Sequence, residues 1–98
     1  MAGAAAFPAD DLTTYLDGYK VEVPKTGRFL WNGQEITAKT FQTYLKEVGG
    51  RERIVVQFEP GSPAERVLWV REQVIEAGYC KRSLCAEAPW KAVRPVVN

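Results

Sequence analysis

The sequence predicts an α+β two-layer sandwich, with two helices on one face of a four- to six-stranded mixed β-sheet. Three observations predict it. Ile54 to Phe58 is a continuous apolar run, as a strand covered by helices requires. Thr37 to Gly49 and Ser62 to Gly78 each carry apolar residues at helical spacing, with an N-cap residue before and glycine after. Strand, capped helix, glycine stop and strand in succession imply a parallel crossover.

Residues 1 to about 11 are small residues, Pro8 and two aspartates, and read as a flexible leader; residues 12–98 read as one domain. Asp11 caps one helical turn over Leu12 to Leu16. Asp17-Gly18 marks a turn, and Tyr19 to Val23 alternates as a strand that Pro24 ends. Arg28 to Trp31 reads as the second strand. Asn32-Gly33 is a hairpin signal, because both positions of a type I′ turn need positive φ, and Gln34 to Ile36 returns. Thr37 caps the first helix, where Phe41, Tyr44, Leu45 and Val48 form one apolar stripe. Gly49-Gly50 stops it through a left-handed cap.

The second helix runs from about Pro63 to Ala77. Ser62 is placed to accept the amide of Glu65, with Glu65 reaching back to Ser62 in a capping box and Pro63 at the first helical position. Tyr79 to Ala86 reads as the next strand. Ala92 to Val97 reads as an edge strand, because Pro95 has no N–H for a ladder.

Composition narrows the function. Thirteen basic and twelve acidic residues give a net charge of +1 with the basic residues scattered, so no nucleic-acid footprint is present. A chain of 98 residues buries roughly 60–70% of its unfolded surface, enough for one core without a deep enclosed pocket. The absence of histidine removes the commonest general base and neutral metal ligand. Asp10, Asp11 and Glu52 lack the spacing of a catalytic carboxylate pair. No cofactor motif and no metal-ligand spacing is found; Gly49-Gly50 follows a helix, unlike a phosphate-binding loop. Cys80 and Cys85, five apart in the expected strand, fall on opposite faces about 16 Å apart. That is beyond disulfide reach, so two free thiols are expected. A thiol enzyme built on either is the least favoured reading, since no histidine can assist.

Three residues stand out as partner-binding candidates. Trp69 lies on the helical wheel opposite Val67, Val70 and Val74, beside Glu65, Glu72 and Glu76. It either lies flat over neighbouring stems or contacts a partner. Arg71 falls inside the apolar sector, where it snorkels, pairs with a carboxylate or faces another chain. Glu59 ends the central strand before a helix N-terminus, the position where α/β sheets bind ligands and where a carboxylate is also stabilising. Arg28-Phe-Leu-Trp31 mixes basic and aromatic residues, but the alternation sends its aromatics into the core.

A family likeness follows from these segments. Asn32-Gly-Gln-Glu-Ile-Thr37, Phe41-Gln-Thr-Tyr-Leu45, Ile54-Val-Val-Gln-Phe-Glu59, Val67-Leu-Trp-Val70 and Glu76-Ala-Gly78 resemble the periplasmic domain of ExbD/TolR-type proteins. Arg82-Ser-Leu84 stands where that family has its final core strand, and the resemblance covers residues 19–86. Family members carry an N-terminal membrane helix with a proton-linked aspartate. This chain contains neither and would correspond to the soluble domain. Arg71 stands where the family is apolar and Ile75 where it is often charged.

The resemblance implies a non-enzymatic periplasmic role in biopolymer transport, coupling the inner-membrane proton gradient to outer-membrane work. It implies an ExbB/TolQ-type channel subunit and a TonB/TolA-type transducer as partners, a homodimer of the domain and, in the TolR branch, peptidoglycan engagement. The expected contact is strand addition at a sheet edge. The alternative is a cytosolic protein-interaction domain that shares only the architecture.

Overall fold

A computed structural model of the chain describes residues 18–92. The expected leader, the turn at Leu12 to Leu16 and most of the expected strand at Ala92 to Val97 lie outside them.

Five strands and two helices follow one another as β1 (Tyr19–Val23), β2 (Phe29–Trp31), β3 (Gln34–Ile36), α1 (Ala38–Val48), β4 (Ile54–Phe58), α2 (Ala64–Glu76) and β5 (Cys85–Ala88), with a 3₁₀ turn at Cys80–Arg82 before β5. The sheet order is β3-β2-β1-β4-β5. Strands β1, β2 and β3 form an antiparallel meander, while β4 pairs parallel to both β1 and β5. Each helix therefore lies in a crossover between parallel strands, and both crossovers travel toward β5. Two right-handed crossovers made in one direction leave their helices on the same face of the sheet. The packing agrees: Phe41 and Leu45 of α1 and Val70 and Val74 of α2 join one core with Val21, Val23, Phe29, Ile54 and Val56. The fold is the α+β two-layer sandwich that the periodicity implies.

The β2–β3 turn forms as the Asn-Gly pair dictates, with φ of 49° at Asn32 and 87° at Gly33. Asn32 also extends the β1–β2 ladder: its amide donates to the Lys20 carbonyl, and its Oδ1 accepts from the Lys20 amide, both at 2.8 Å. Thr37 caps α1 by accepting from the Thr40 amide at 3.1 Å. Gly49, at φ 64°, closes α1 by donating to the Leu45 carbonyl.

The start of α2 corrects the expected capping box. The Pro63 carbonyl accepts from Arg66 and Val67, so Pro63 is itself the N-cap and the helix begins at Ala64, one residue later than expected. Ser62 then lies outside the helix, and its hydroxyl donates to the Glu59 carbonyl at 2.6 Å. Proline has no N–H and is extended here (ψ 140°), which leaves the hydroxyl nearer the preceding turn than the helix amides.

The expected strand over Tyr79 to Ala86 is also shorter. Gly78 (φ 90°) and Ser83 (φ 60°) turn the chain, the 3₁₀ turn intervenes, and β5 starts only at Cys85. This places the Cα atoms of Cys80 and Cys85 4.8 Å apart, and the two cysteines form a disulfide. The expected 16 Å separation assumed extended chain between them; a turn of helix takes up far less length per residue.

Tyr79, fully buried, donates its hydroxyl to the Leu45 carbonyl at 2.7 Å and so ties this turn to the end of α1. Burial pushes the Tyr79 pKa up, partly offset by a backbone hydrogen bond from Gly50. In the unfolded chain tyrosine ionises near pH 10. The folded state holds the proton beyond that point, so Tyr79 contributes stability that is present below pH ~10 and lost as pH rises through the raised native value. Thermal melts are expected to be flat between about pH 7 and 9 and to fall above about pH 10. Tyr79→Phe should flatten that alkaline fall, at a loss of about 1 kcal/mol near neutrality. The loss is small because the Leu45 carbonyl keeps its bond from Gly49.

The second face of the sheet carries Glu22, Val55, Gln57, Ala86 and Ala88, all buried. Lys91 and Ala92 cross it. Gln57, fully buried, accepts from the Lys91 amide at 3.1 Å and donates to the Ala92 carbonyl at 3.0 Å, while Lys91 Nζ reaches Glu22 at 3.1 Å. The amide of one side chain thus takes the place of a neighbouring strand.

Candidate docking surface

Helix α2 presents two flanks because its core-facing valines occupy only one sector. One flank faces α1. Trp69 packs there, with ring centroids 6.2 Å from Phe29 and 6.1 Å from Phe41, and Gln73 accepts from Gln42 Nε2 at 2.9 Å. This corrects the outward placement of Trp69. It lies about 100° around the helix from the valine sector, and with α1 alongside, that side position is an interhelical seam, where the indole is half-buried.

The other flank looks over β5. Leu68, Arg71 and Ile75 recur at i, i+3 and i+7, so they share a stripe. Leu68 is 62% exposed and Ile75 39% exposed, the two large apolar side chains on the surface of the described residues. Arg71 lies between them and spans the gap to the sheet. Its Nε and Nη2 donate to Glu87 of β5 at 2.6 and 2.9 Å. Its guanidinium also lies 5.5 Å from the Phe58 ring centroid. Of the fates open to Arg71, pairing with a carboxylate is the one realised. The hydrogen bond that Arg71 donates to Glu87 raises the Arg71 pKa further, against a smaller opposing effect of burial. With side chains 41% and 24% exposed, the pair is partly screened and contributes about 1 kcal/mol at most. Its larger role is geometric, fixing α2 above β5.

Strand β5 is the sheet edge. It pairs with β4 on one side, and among the described residues no strand lies against the other. Beneath the Leu68–Arg71–Ile75 stripe therefore runs a strand whose outer main-chain groups have no strand partner among the described residues, the arrangement that accepts an added strand.

Glu59 sits apart from this ledge. Its Oε1 accepts from the Lys25 amide at 2.8 Å, and its amide donates to the Val23 carbonyl, so it holds the β1–β2 connection against the end of β4. Arg66 grips the same connection, donating to the carbonyls of Pro24 and Gly27 at 2.7 and 2.6 Å and lying 4.8 Å from the Phe29 ring centroid. Burial lowers the Arg66 pKa. The three residues singled out by sequence are thus not brought together: Arg71 lies on the ledge, Trp69 on the opposite flank and Glu59 at a strand end. Sequence reasoning noted Ile75 only as a departure from the family pattern and did not single out Leu68 or Glu87, although the 68–71–75 spacing is visible as a second stripe.

Among the described residues, no group of three or more His, Cys, Asp or Glu side chains is placed to hold a metal, and no helix is long and apolar enough to cross a membrane. No protein-family model matches the chain, and no curated protein matches it.

Proposed function

We propose that this domain is a non-enzymatic periplasmic interaction module of a proton-motive-force-driven, Ton/Tol-type transport system. It acts as a homodimer alongside an ExbB/TolQ-type channel subunit, and it docks an extended segment of a TonB/TolA-type transducer. The observation that carries the reading is the β5 edge, unpaired among the described residues, lying under the Leu68–Arg71–Ile75 stripe. A strand added there gains main-chain hydrogen bonds from β5, and its alternate side chains rise against Leu68 and Ile75. The hairpin–helix–strand–helix–strand order and the Asn32-Gly33 turn support the family likeness. The Cys80–Cys85 disulfide supports an oxidising compartment and favours the periplasm over the cytosolic alternative.

The test is chemical-shift mapping of the labelled domain with a synthetic peptide from a TonB/TolA-type transducer. Perturbations are expected along β5 and at Leu68, Arg71 and Ile75. Leu68→Glu should weaken the interaction about tenfold while leaving the fold intact, because truncating or recharging an exposed anchor acts on the complex. An unperturbed β5 edge and α2 would remove the reading.

A further inference from the structure

Where β1 and β2 meet the C-terminal half of α1, three aromatic rings from three elements converge. Val21 pairs with Trp31 across the β1–β2 ladder, so Tyr19, two residues earlier on the same face, is a diagonal neighbour of Trp31. Tyr44 comes down from α1. The Trp31 centroid lies 5.3 Å from Tyr19, with planes inclined at 39°, and 5.2 Å from Tyr44, inclined at 71°. Tyr44 meets Trp31 steeply and Tyr19 meets it at a shallower tilt, so the three rings do not form a parallel stack. They line a cavity of about 220 Å³ with Glu47 and Val48. Trp31 is buried as the floor, and the two tyrosines are half-buried at the sides.

The charge at the mouth has a definite sign. Glu47 is exposed and makes no ion pair among the described residues. An adjoining hollow shares Tyr19, Glu47 and Val48 and adds Glu52 and Arg51. The Arg51 guanidinium is turned back onto the end of α1, with Nη2 donating to the Glu47 carbonyl at 2.7 Å. Among the described residues that line the two hollows, two carboxylates and one tethered guanidinium leave a net negative charge beside the rings.

We infer that Tyr19, Trp31 and Tyr44, with Glu47 at the rim, form a binding site for a small quaternary ammonium compound. The face of each ring attracts a cation through its quadrupole, most strongly for tryptophan. An alkylated ammonium suits the box better than a bare ammonium, because its methyl groups bury apolar surface and it surrenders little hydration. A solvent-open hollow of about 220 Å³ has room for the few heavy atoms of a trimethylammonium head. The site is separate from the β5 ledge and stands independently of the docking reading.

The experiment is a titration of the folded chain with choline chloride, read on the ring and indole resonances of Tyr19, Trp31 and Tyr44. The neutral isostere 3,3-dimethylbutan-1-ol and equimolar sodium chloride serve as controls. Saturable shifts are expected with choline, about fivefold weaker binding with the alcohol, and no saturable shift with salt. Glu47→Gln, an exposed change that leaves the core untouched, should weaken choline binding about threefold; Tyr44→Leu should abolish saturation. Phosphatidylcholine vesicles that compete with choline would place the head group on a lipid, and failure to compete would leave it a free compound. Equal response to choline and the alcohol, shifts reproduced by salt, or unchanged binding in Glu47→Gln would overturn the assignment.

Discussion

Phe41→Ala is expected to destabilise the domain by about 3–5 kcal/mol. Phe41 is fully buried, and it is the residue of α1 on which both layers converge. Its ring stands edge-on to Phe29 of β2 at 5.3 Å, and it lies 6.2 Å from Trp31 and 6.1 Å from Trp69 of α2. Truncation removes the transfer free energy of the ring, opens a cavity, and breaks the edge-to-face pair, itself worth roughly 0.5–1.5 kcal/mol beyond area burial. The neighbours cannot collapse into the space. Phe29 and Trp31 are fixed on a paired strand, and Trp69 is held in the seam between helices. Against a total stability of about 5–15 kcal/mol for a domain of this size, the loss lowers the melting temperature by roughly 12–40 °C. Leu68→Ala, 62% exposed, should change it by less than about 0.5 kcal/mol. Urea unfolding of the two variants side by side measures the contrast. A Phe41→Ala variant within 1 kcal/mol of wild type would mean that the aromatic cluster is not the keystone of the core.

The contrast shows what is legible in a sequence of this kind. Element order, the Asn32-Gly33 turn, the Thr37 cap and the α1 stripe are local, and each rests on residues within one turn or one strand of each other. Those expectations match the structure. What was misplaced depends on a neighbour distant in sequence or on a single residue of register. Trp69 sits about 100° from the valine sector of α2, and only the presence of α1 decides that this is an interior seam. Ser62 lost its capping role to a one-residue shift in the start of α2. The partner of Arg71 is sixteen residues away on β5, and no spacing rule connects them. The candidate ledge shares this character, because it exists only where a helix flank and a sheet edge are brought side by side.

The disulfide yields the second large effect and was the least visible feature. Cys80 lies in the 3₁₀ turn and Cys85 opens β5. Cross-linking two residues five apart restricts the unfolded chain only modestly, so the chain-entropy model gives about 2 kcal/mol for a loop this short. The local consequence exceeds that figure in importance. The Leu84 amide donates to the Tyr79 carbonyl, and the Leu84 carbonyl accepts from Ile54 at the start of β4, so the stapled turn sets where β5 begins to pair. Reduction is therefore expected to lower the unfolding free energy by about 2 kcal/mol. It should also accelerate hydrogen exchange at Ile54 and Leu84 ahead of the α1 amides, because release of the turn frees one end of β5 before the core yields. Both sulfurs belong to buried residues, at 7% and 1% exposure, so reductant should act slowly on the native protein and quickly in denaturant. Cys80→Ser/Cys85→Ser should reproduce the loss without added reductant. Alkylation with iodoacetamide in denaturant, on protein secreted to an oxidising compartment and never reduced, should label neither cysteine. Two labelled thiols in that preparation would break the link between this turn and an oxidising compartment, and with it the main physical support for the proposed periplasmic role.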